Sequence, residues 1–185
     1  KKNKFFIFEG SKNDVLDRYY KTAKKFKSRI VIRLTGDCPL VDPEIIDNMI
    51  EKFLKNKFDC VLNYSPPTFP DGLDVAILTF DCLSRTWKMS KNQFDREHVM
   101  PYIIKNSKFK KYNYTSKINL SKERWTIDEP QDLEVIKNVF KNFKKDLNFS
   151  WKQVLKLKKK KPYLFDANKN ILRDEGATLS SGSKL

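Results

Sequence analysis

Residues 30–43 read IVIRLTGDCPLVDP, which combines a strand, a turn and the start of a helix in one short stretch. The β-branched run Ile30–Leu34 predicts a strand, because such side chains pack well on a pleated sheet. Gly36 follows and allows both a tight turn and a close approach of the backbone to a ligand. Asp42 and Pro43 then predict a helix start, with the aspartate as cap and the proline in the first turn.

The same alternation of strand and helix signals continues on both sides of this stretch. It predicts an α/β fold in which helices flank a mostly parallel mixed sheet, because strands separated by helices pair in parallel. We expect residues 1–161 to form one domain and residues 162–185 to form a linker. Strands are predicted over Phe5–Phe8, Cys60–Leu62, Val75–Thr79, Tyr112–Ser116 and Trp125–Ile127, and helices over Asp14–Lys27, Pro43–Lys55, Asp81–Lys88, Arg96–Asn106, Pro130–Phe143 and Trp151–Leu157.

Composition narrows the class of protein. The chain has 185 residues, of which 39% are hydrophobic, and this suits one globular domain. No apolar run is long enough to span a bilayer, and no signal peptide is visible, so we expect a cytoplasmic protein without a membrane partner. The net charge of +15 comes mostly from scattered lysines, which does not predict a nucleic-acid partner. Three widely spaced cysteines predict free thiols rather than disulfides or a zinc site.

Two aspartates follow predicted strands directly. Asp37 comes after Ile30–Leu34, and Asp128 comes after Trp125–Ile127. Ligands of such sheets bind beyond the carboxyl ends of the strands, so we expect both carboxylates at one crevice. There they would hold Mg²⁺ against the phosphates of a nucleotide. Helix capping is the alternative for Asp128, but it explains Asp37 poorly because Asp42 already caps the next helix.

Five stretches in series carry a family resemblance. They resemble the cytidylyltransferases of the spore-coat polysaccharide biosynthesis type, which are relatives of the acylneuraminate and 3-deoxy-manno-octulosonate cytidylyltransferases. The resemblance covers residues 5–143. The stretches are GSKNDVLDRYY at 10–20, RLTGDCPLVDP at 33–43, FPDGLDV at 69–75, REHV at 96–99 and RWTIDEPQDL at 124–133.

This resemblance implies a nucleotide-diphospho-sugar transferase fold, which is Rossmann-like. It implies that Asp37 and Asp128 are catalytic and bind the metal. It also implies that a loop preceding Lys1 cradles the triphosphate, so we interpret the sequence as a fragment. Asp71 and Asp74 are expected to face the sugar, although an exposed Asp-Gly turn is the alternative there.

The remaining candidates are weighed against structural roles. Arg96 is a candidate catalytic residue that would pair with a substrate anion or with a nearby aspartate. His98 is a candidate general base, but a lone histidine more often packs structurally. The other residues predicted to bind substrate are Gly10, Ser11, Asp14, Arg33, Gly36, Glu97 and Arg124. The two arginines Arg33 and Arg124 flank the metal carboxylates, and simple ion pairs are the alternative for them.

The predicted reaction is the activation of a sugar by CTP, which gives a CMP-sugar and pyrophosphate for surface polysaccharide biosynthesis. The alternatives are a glycosyltransferase on the same fold, a basic RNA-binding module and an inactive scaffold. A homodimer is a further expectation. The stretch NILRDEGA at 170–177 resembles the linker by which some of these enzymes join an aminotransferase domain, so a fused domain beyond Leu185 is also expected.

Overall fold

The computed structural model describes residues 5–144 and 146–173. Within these ranges, no helix is both long and apolar enough to cross a lipid bilayer. The strands are β1 (Ile30–Arg33), β2 (Cys60–Leu62), β3 (Ala76–Thr79) and β4 (Lys111–Asn113). The helices are α1 (Val15–Lys25), α2 (Pro43–Lys55), α3 (Phe80–Met89), α4 (Gln93–His98), α5 (Pro101–Lys105), α6 (Pro130–Phe143) and α7 (Trp151–Lys160), followed by a 3₁₀ helix at Pro162–Phe165.

The four strands form one open mixed sheet in the order β1-β3-β2-β4. Strand β3 is antiparallel to both of its neighbours, whereas β2 and β4 pair in parallel. Strands β1, β2 and β4 therefore all run in the same direction, and only β3 opposes them. The predicted α/β fold with a mixed sheet is confirmed, and most of its strands share one direction. Among the described strands, β2 and β4 form the one parallel pair.

Helices cover both faces of this sheet. Val61 and Ile77 point to one side, where they join a core built with α2, α6 and α7. Leu62 and Leu78 point to the other side, into a core built with α1, α3 and α5. Successive side chains of a strand alternate between faces, so two short buried strands supply both cores.

The helix starts follow local sequence signals. The Asp42 carboxylate accepts a hydrogen bond of 2.8 Å from the backbone N–H of Glu44, and Pro43 occupies the first turn of α2. Asp14 caps α1 in the same way by accepting the N–H of Asp17 at 2.9 Å. These contacts satisfy backbone donors that a helix leaves unpaired at its N-terminus. The predicted start of α2 is confirmed.

Two predicted helices differ in the structure. The sequence also suggests Asp81 as the cap of the helix predicted to end at Lys88, and this was wrong: α3 is capped by Thr79, whose hydroxyl accepts the N–H of Cys82 at 3.0 Å, and Asp81 lies in its first turn. The helix predicted over residues 96–106 is interrupted between α4 and α5. Val99 lies at φ 70°, which no right-handed helix contains, and Pro101 starts α5 in its first turn, where the missing N–H is tolerated.

Two predicted strands are absent. Phe5–Phe8 is not a strand, and it is exposed rather than buried: its first three side chains are 80–87% exposed, and no described strand pairs with it. The segment Trp125–Ile127 belongs to no strand. Its Trp125 N–H donates to the Asp71 carbonyl and its Ile127 N–H donates to the Asp37 carbonyl, both at 2.8 Å. Two separate loops therefore hold it.

The segment after α7 packs against the domain as far as it is described. Phe165 and Asn168 are both buried, and Phe165 belongs to the core formed with α2 and α6. The rest of the predicted linker, residues 174–185, lies outside the described residues, as does the second half of the stretch that predicts a fused domain.

Candidate active site

A cleft of about 510 Å³ opens beyond the carboxyl ends of β1 and β2. Both strands run toward it, so the residues that follow them line it, as expected for ligand sites of α/β sheets. Its lining combines carboxylates, donors and apolar side chains: Arg33, Thr35, Asp37, Cys38, Tyr64, Ser65, Asp71, Asp74, Phe94, His98, Met100, Pro101, Ile104, Thr126 and Asp128.

The structure brings Asp37 and Asp128 to this one cleft. The main chain at Asp37 accepts hydrogen bonds from the Ile127 N–H at 2.8 Å and from the Thr126 hydroxyl at 3.3 Å. Burial raises the pKa of the Asp128 carboxyl, the Arg124 cation lowers it, and the neighbouring Asp37 charge raises it again, with a net increase. The two carboxylates therefore influence each other electrostatically across the cleft.

This carboxylate pair suits a magnesium ion. Mg²⁺ prefers oxygen ligands and is usually held by one or two carboxylates together with water and substrate phosphates. Among the described residues, no cluster of three or more His, Cys, Asp or Glu side chains could hold a metal alone. Asp37 and Asp128 both line an open cleft, and the Asp128 side chain is 45% exposed. This arrangement suits an ion whose other ligands are water and substrate phosphates.

Arg124 lies behind the cleft rather than in it. Its side chain is 5% exposed and contacts three carboxylates. Its Nη2 donates to Asp128 at 3.0 Å and to Asp132 at 2.8 Å, its Nε donates to Asp132 at 2.9 Å, and its Nη1 lies 3.4 Å from Asp71. The structure thus realises the ion-pair alternative for Arg124. Through these contacts the arginine holds Asp128 in place.

Asp132 is the fully buried carboxylate of this network. Burial alone would raise its pKa, but hydrogen bonds from Arg124, from Asn168 and from two backbone N–H groups lower it to about 2. Those N–H groups belong to Asp128 at 3.1 Å and Glu129 at 2.9 Å. Glu129, not Asp128, occupies the cap position of α6. The capping alternative therefore does not account for Asp128.

Asp71 and Asp74 both line the cleft, and a glycine between them sets their position. Gly72 has φ +94°, and a Cβ there would lie 2.5 Å from the carbonyl carbon and oxygen of Trp125. Only glycine tolerates both the conformation and the approach.

Gly36 differs, because its φ is not in that region and a Cβ would meet no protein atom within 4 Å. A close approach of Gly36 to a ligand stays a prediction.

Two donors in the cleft have unused hydrogen-bonding capacity. The Arg33 Nε and the Tyr64 hydroxyl are buried, and neither has a hydrogen-bond partner within the described part of the chain. Burial raises the pKa of the Tyr64 hydroxyl, so this group stays a neutral donor. Buried polar groups are normally paired, so these two donors are candidates for contact with a bound molecule.

The remaining wall of the cleft is apolar. The rings of Phe94 and His98 lie 4.4 Å apart, and both side chains line the cleft. His98 therefore packs against a neighbouring ring, as a structural histidine would, and it also lies where a substrate could reach it. The adjacent Glu97 is exposed and does not line the cleft.

The structure places the first motif and Arg96 outside the cleft. The Ser11 hydroxyl accepts the N–H of Asp14, and exposed Gly10 precedes this turn. The Arg96 guanidinium donates to Asp14 at 2.7 Å, and also to the carbonyls of Trp87 and Ser90. These contacts join α1 to α4 and to the end of α3. The substrate roles predicted for these residues stay predictions.

Several cleft residues were not singled out from the sequence. Tyr64 and Ser65 follow β2, so the argument from strand ends that selected Asp37 applies equally to them. Thr126 precedes Asp128 and was quoted only as part of a motif. Phe94 has no comparable signal, because it reaches the cleft through the packing of a short helix.

The sequence matches the family profile described as Cytidylyltransferase over residues 2–171. An uncharacterised protein of Methanocaldococcus jannaschii is 37% identical over 169 residues, which cover 89% of this chain and 68% of that protein. The spore coat polysaccharide biosynthesis protein SpsF of Bacillus subtilis is 32% identical over 142 residues, which cover 75% of this chain and 58% of SpsF.

A solved structure has the same fold. The structure of a cytidylyltransferase from Leptospira borgpetersenii superposes with a TM-score of 0.82 at 35% sequence identity. The match covers 85% of this chain and 67% of that protein. The chain therefore spans between 58% and 68% of the length of these three proteins.

Proposed function

The chain belongs to the cytidylyltransferase family, a family of nucleotidyltransferase enzymes, and from that premise we propose that it activates a sugar with CTP. In the proposed reaction a sugar oxygen attacks the α-phosphate of CTP, the bond to the β-phosphate oxygen breaks, and pyrophosphate leaves. The product is a CMP-sugar. The observation that carries the proposal is the convergence of Asp37 and Asp128 on one cleft at the carboxyl ends of the strands.

The proposed chemistry relies on position and charge rather than on a covalent intermediate. Asp37 and Asp128 are the residues that would hold Mg²⁺ in the cleft. The bound ion would supply charge neutralisation at the phosphate oxygens. Arg124 would keep Asp128 oriented toward the cleft, because it binds that carboxylate from behind at 3.0 Å.

The acceptor sugar is proposed to lie on the side of Asp71 and Asp74. Their carboxylates would accept hydrogen bonds from sugar hydroxyls, and the unpaired donors of Arg33 and Tyr64 would meet an anionic group of one of the substrates. His98 lines the same cleft and would be placed to accept the proton of the attacking hydroxyl.

The similarity to SpsF supports a role in surface polysaccharide biosynthesis. The cytoplasm is the proposed compartment, since Cys38, Cys60 and Cys82 are all free and buried, which suits a reducing environment. The homodimer and the fused aminotransferase domain remain parts of the proposal. The RNA-binding and glycosyltransferase alternatives receive no support from the family match.

The test measures pyrophosphate release by the full-length protein with CTP, a panel of acidic and amino-modified sugars, and Mg²⁺. Asp37→Asn and Asp128→Asn should each abolish turnover while the melting temperature stays close to that of the wild type. The amide keeps the shape of the side chain but loses the charge that offsets the cation.

Asp47→Asn is the matched control, because Asp47 is exposed on α2 and does not line the cleft. It should retain full turnover. Undiminished release in excess chelator would contradict the proposed role of the metal. Full activity of Asp37→Asn would contradict the proposed site.

A further inference from the structure

Residues 168–173 form a segment, here called the strap, that lies across the back of the cleft. The Asn168 side chain donates to the Arg124 carbonyl at 3.1 Å and to the Asp132 carboxylate at 2.8 Å. The Leu172 carbonyl accepts a hydrogen bond of 3.0 Å from Arg124. The strap is therefore anchored at two points to the ion-pair network that supports Asp128.

The strap also reaches the acceptor side through Arg173. Its Nη2 lies 2.6 Å and 2.7 Å from the two oxygens of Asp74, and its Nη1 donates to the Phe69 carbonyl at 3.2 Å. It also lies 4.0 Å from Asp71. The Arg173 side chain is 13% exposed, so these contacts form in a largely water-excluded place, where charge-assisted hydrogen bonds are strong.

We propose that Arg173 is a positioning residue for the acceptor substrate, which it serves by orienting the Asp74 carboxylate in the cleft. This role rests on the proposed function. The contact engages both oxygens of Asp74 and so fixes the orientation of this carboxylate in the wall of the cleft. The guanidinium also offsets the paired charge of Asp71 and Asp74. Without it, two carboxylates would face incoming substrates that already carry phosphate charge.

The strap thus contributes to the substrate site although it lies in the segment predicted to be a linker. Its anchors explain how a position so late in the chain reaches the cleft. Arg124 links the two halves of the site, since it binds both Asp128 and the carbonyl that directly precedes Arg173.

The experiment compares Arg173→Ala, Arg173→Lys and Asp74→Asn in the full-length protein. Arg173→Ala should raise the KM for the sugar about 10-fold while the KM for CTP changes less than about twofold. Arg173→Lys should recover part of that loss, because a lysine keeps the charge but lacks the second nitrogen that donates to the Phe69 carbonyl. Lys169→Ala is the matched control: this lysine is an exposed cation on the same strap and should leave both constants unchanged.

A double-mutant cycle tests the contact itself. The Arg173→Ala/Asp74→Asn variant should melt no lower than the less stable of the two single variants, since either change removes the same interaction. Additive losses would overturn the docking of the strap. If the changes in melting temperature are not additive but Arg173→Ala leaves the KM for the sugar unchanged, the docking of the strap stands and the positioning role alone is overturned. No turnover by the wild type with any sugar would instead overturn the proposed function, and this role with it.

Discussion

Arg124 and Arg96 each form the centre of a network of ion pairs and hydrogen bonds, and the two networks differ in the parts of the molecule that they connect. The network of Arg124 is buried and binds three carboxylates, two of which line the cleft. The network of Arg96 is half-buried at 24% exposure and binds one carboxylate, Asp14, between α1 and α4. None of the side chains in the second network lines the cleft.

The difference shows how ion pairs of the same chemistry acquire different functions. Both arginines neutralise aspartates and both join separate parts of the chain. Only the first network includes residues that line the cleft. Breaking it should therefore both destabilise the fold and displace carboxylates of the candidate site. The second network resembles an ordinary partly exposed ion pair, whose contribution to stability is small.

The largest expected effect comes from Arg124→Ala. Breaking a buried ion pair by removing one partner costs about 3–5 kcal/mol, because the remaining charges lie buried without compensation. Asp132 would be left in that state, and Asp128 would lose its support. Urea unfolding should show the loss of stability, and turnover should disappear even in conditions where the variant is folded. A loss no larger than that of Arg96→Ala would contradict the contrast between the networks.

A smaller effect is expected from pH. The pKa of Asp132 is lowered from 3.8 to about 2 in the folded chain. The stability from this carboxylate is therefore fully present above the unfolded pKa and is lost as the pH falls from about 4 toward about 2. Its size is on the order of 2 kcal/mol. Urea midpoints measured across this range should fall for the wild type and should change less for Asp132→Asn.

The smallest effect is expected from Arg96→Ala. With both partners of its ion pair partly exposed, we expect a loss of about 1 kcal/mol in urea unfolding. Turnover measured well below the melting temperature should fall far less than in Arg124→Ala. A complete loss of turnover with unchanged stability would instead support the catalytic role predicted for Arg96 from the sequence.

Features that depend on neighbouring residues were predictable from the sequence. Asp42 and Pro43 define the start of α2 because a cap and a first-turn proline act within one helical turn. Asp37 was predicted at the cleft because it follows a strand whose direction the alternation of elements indicates. The same rule placed Asp128 at the cleft, but the stretch before it is not a strand. The hydrogen bond from the Ile127 N–H to the Asp37 carbonyl holds that stretch beside Asp37, and both carboxylates line one cleft.

Features that depend on distant partners were not predictable. Phe5–Phe8 has the composition of a strand, but strand formation needs a neighbouring strand, and no described strand pairs with it. Arg173 contacts a carboxylate 99 positions earlier in the chain, and no local pattern indicates such a contact. In both places the outcome depends on partners that are far away in the sequence, and such pairing leaves no periodic signal.

The contact between Gly72 and the backbone of Trp125 has a consequence for exchanging parts between related enzymes. A junction in which main chain lies against main chain does not depend on which side chains surround it. The loop that precedes it, residues 64–71, could therefore be replaced by the corresponding loop of another family member to alter acceptor preference. Such a graft should keep its register as long as position 72 remains glycine, since that residue fixes where the new loop rejoins the scaffold.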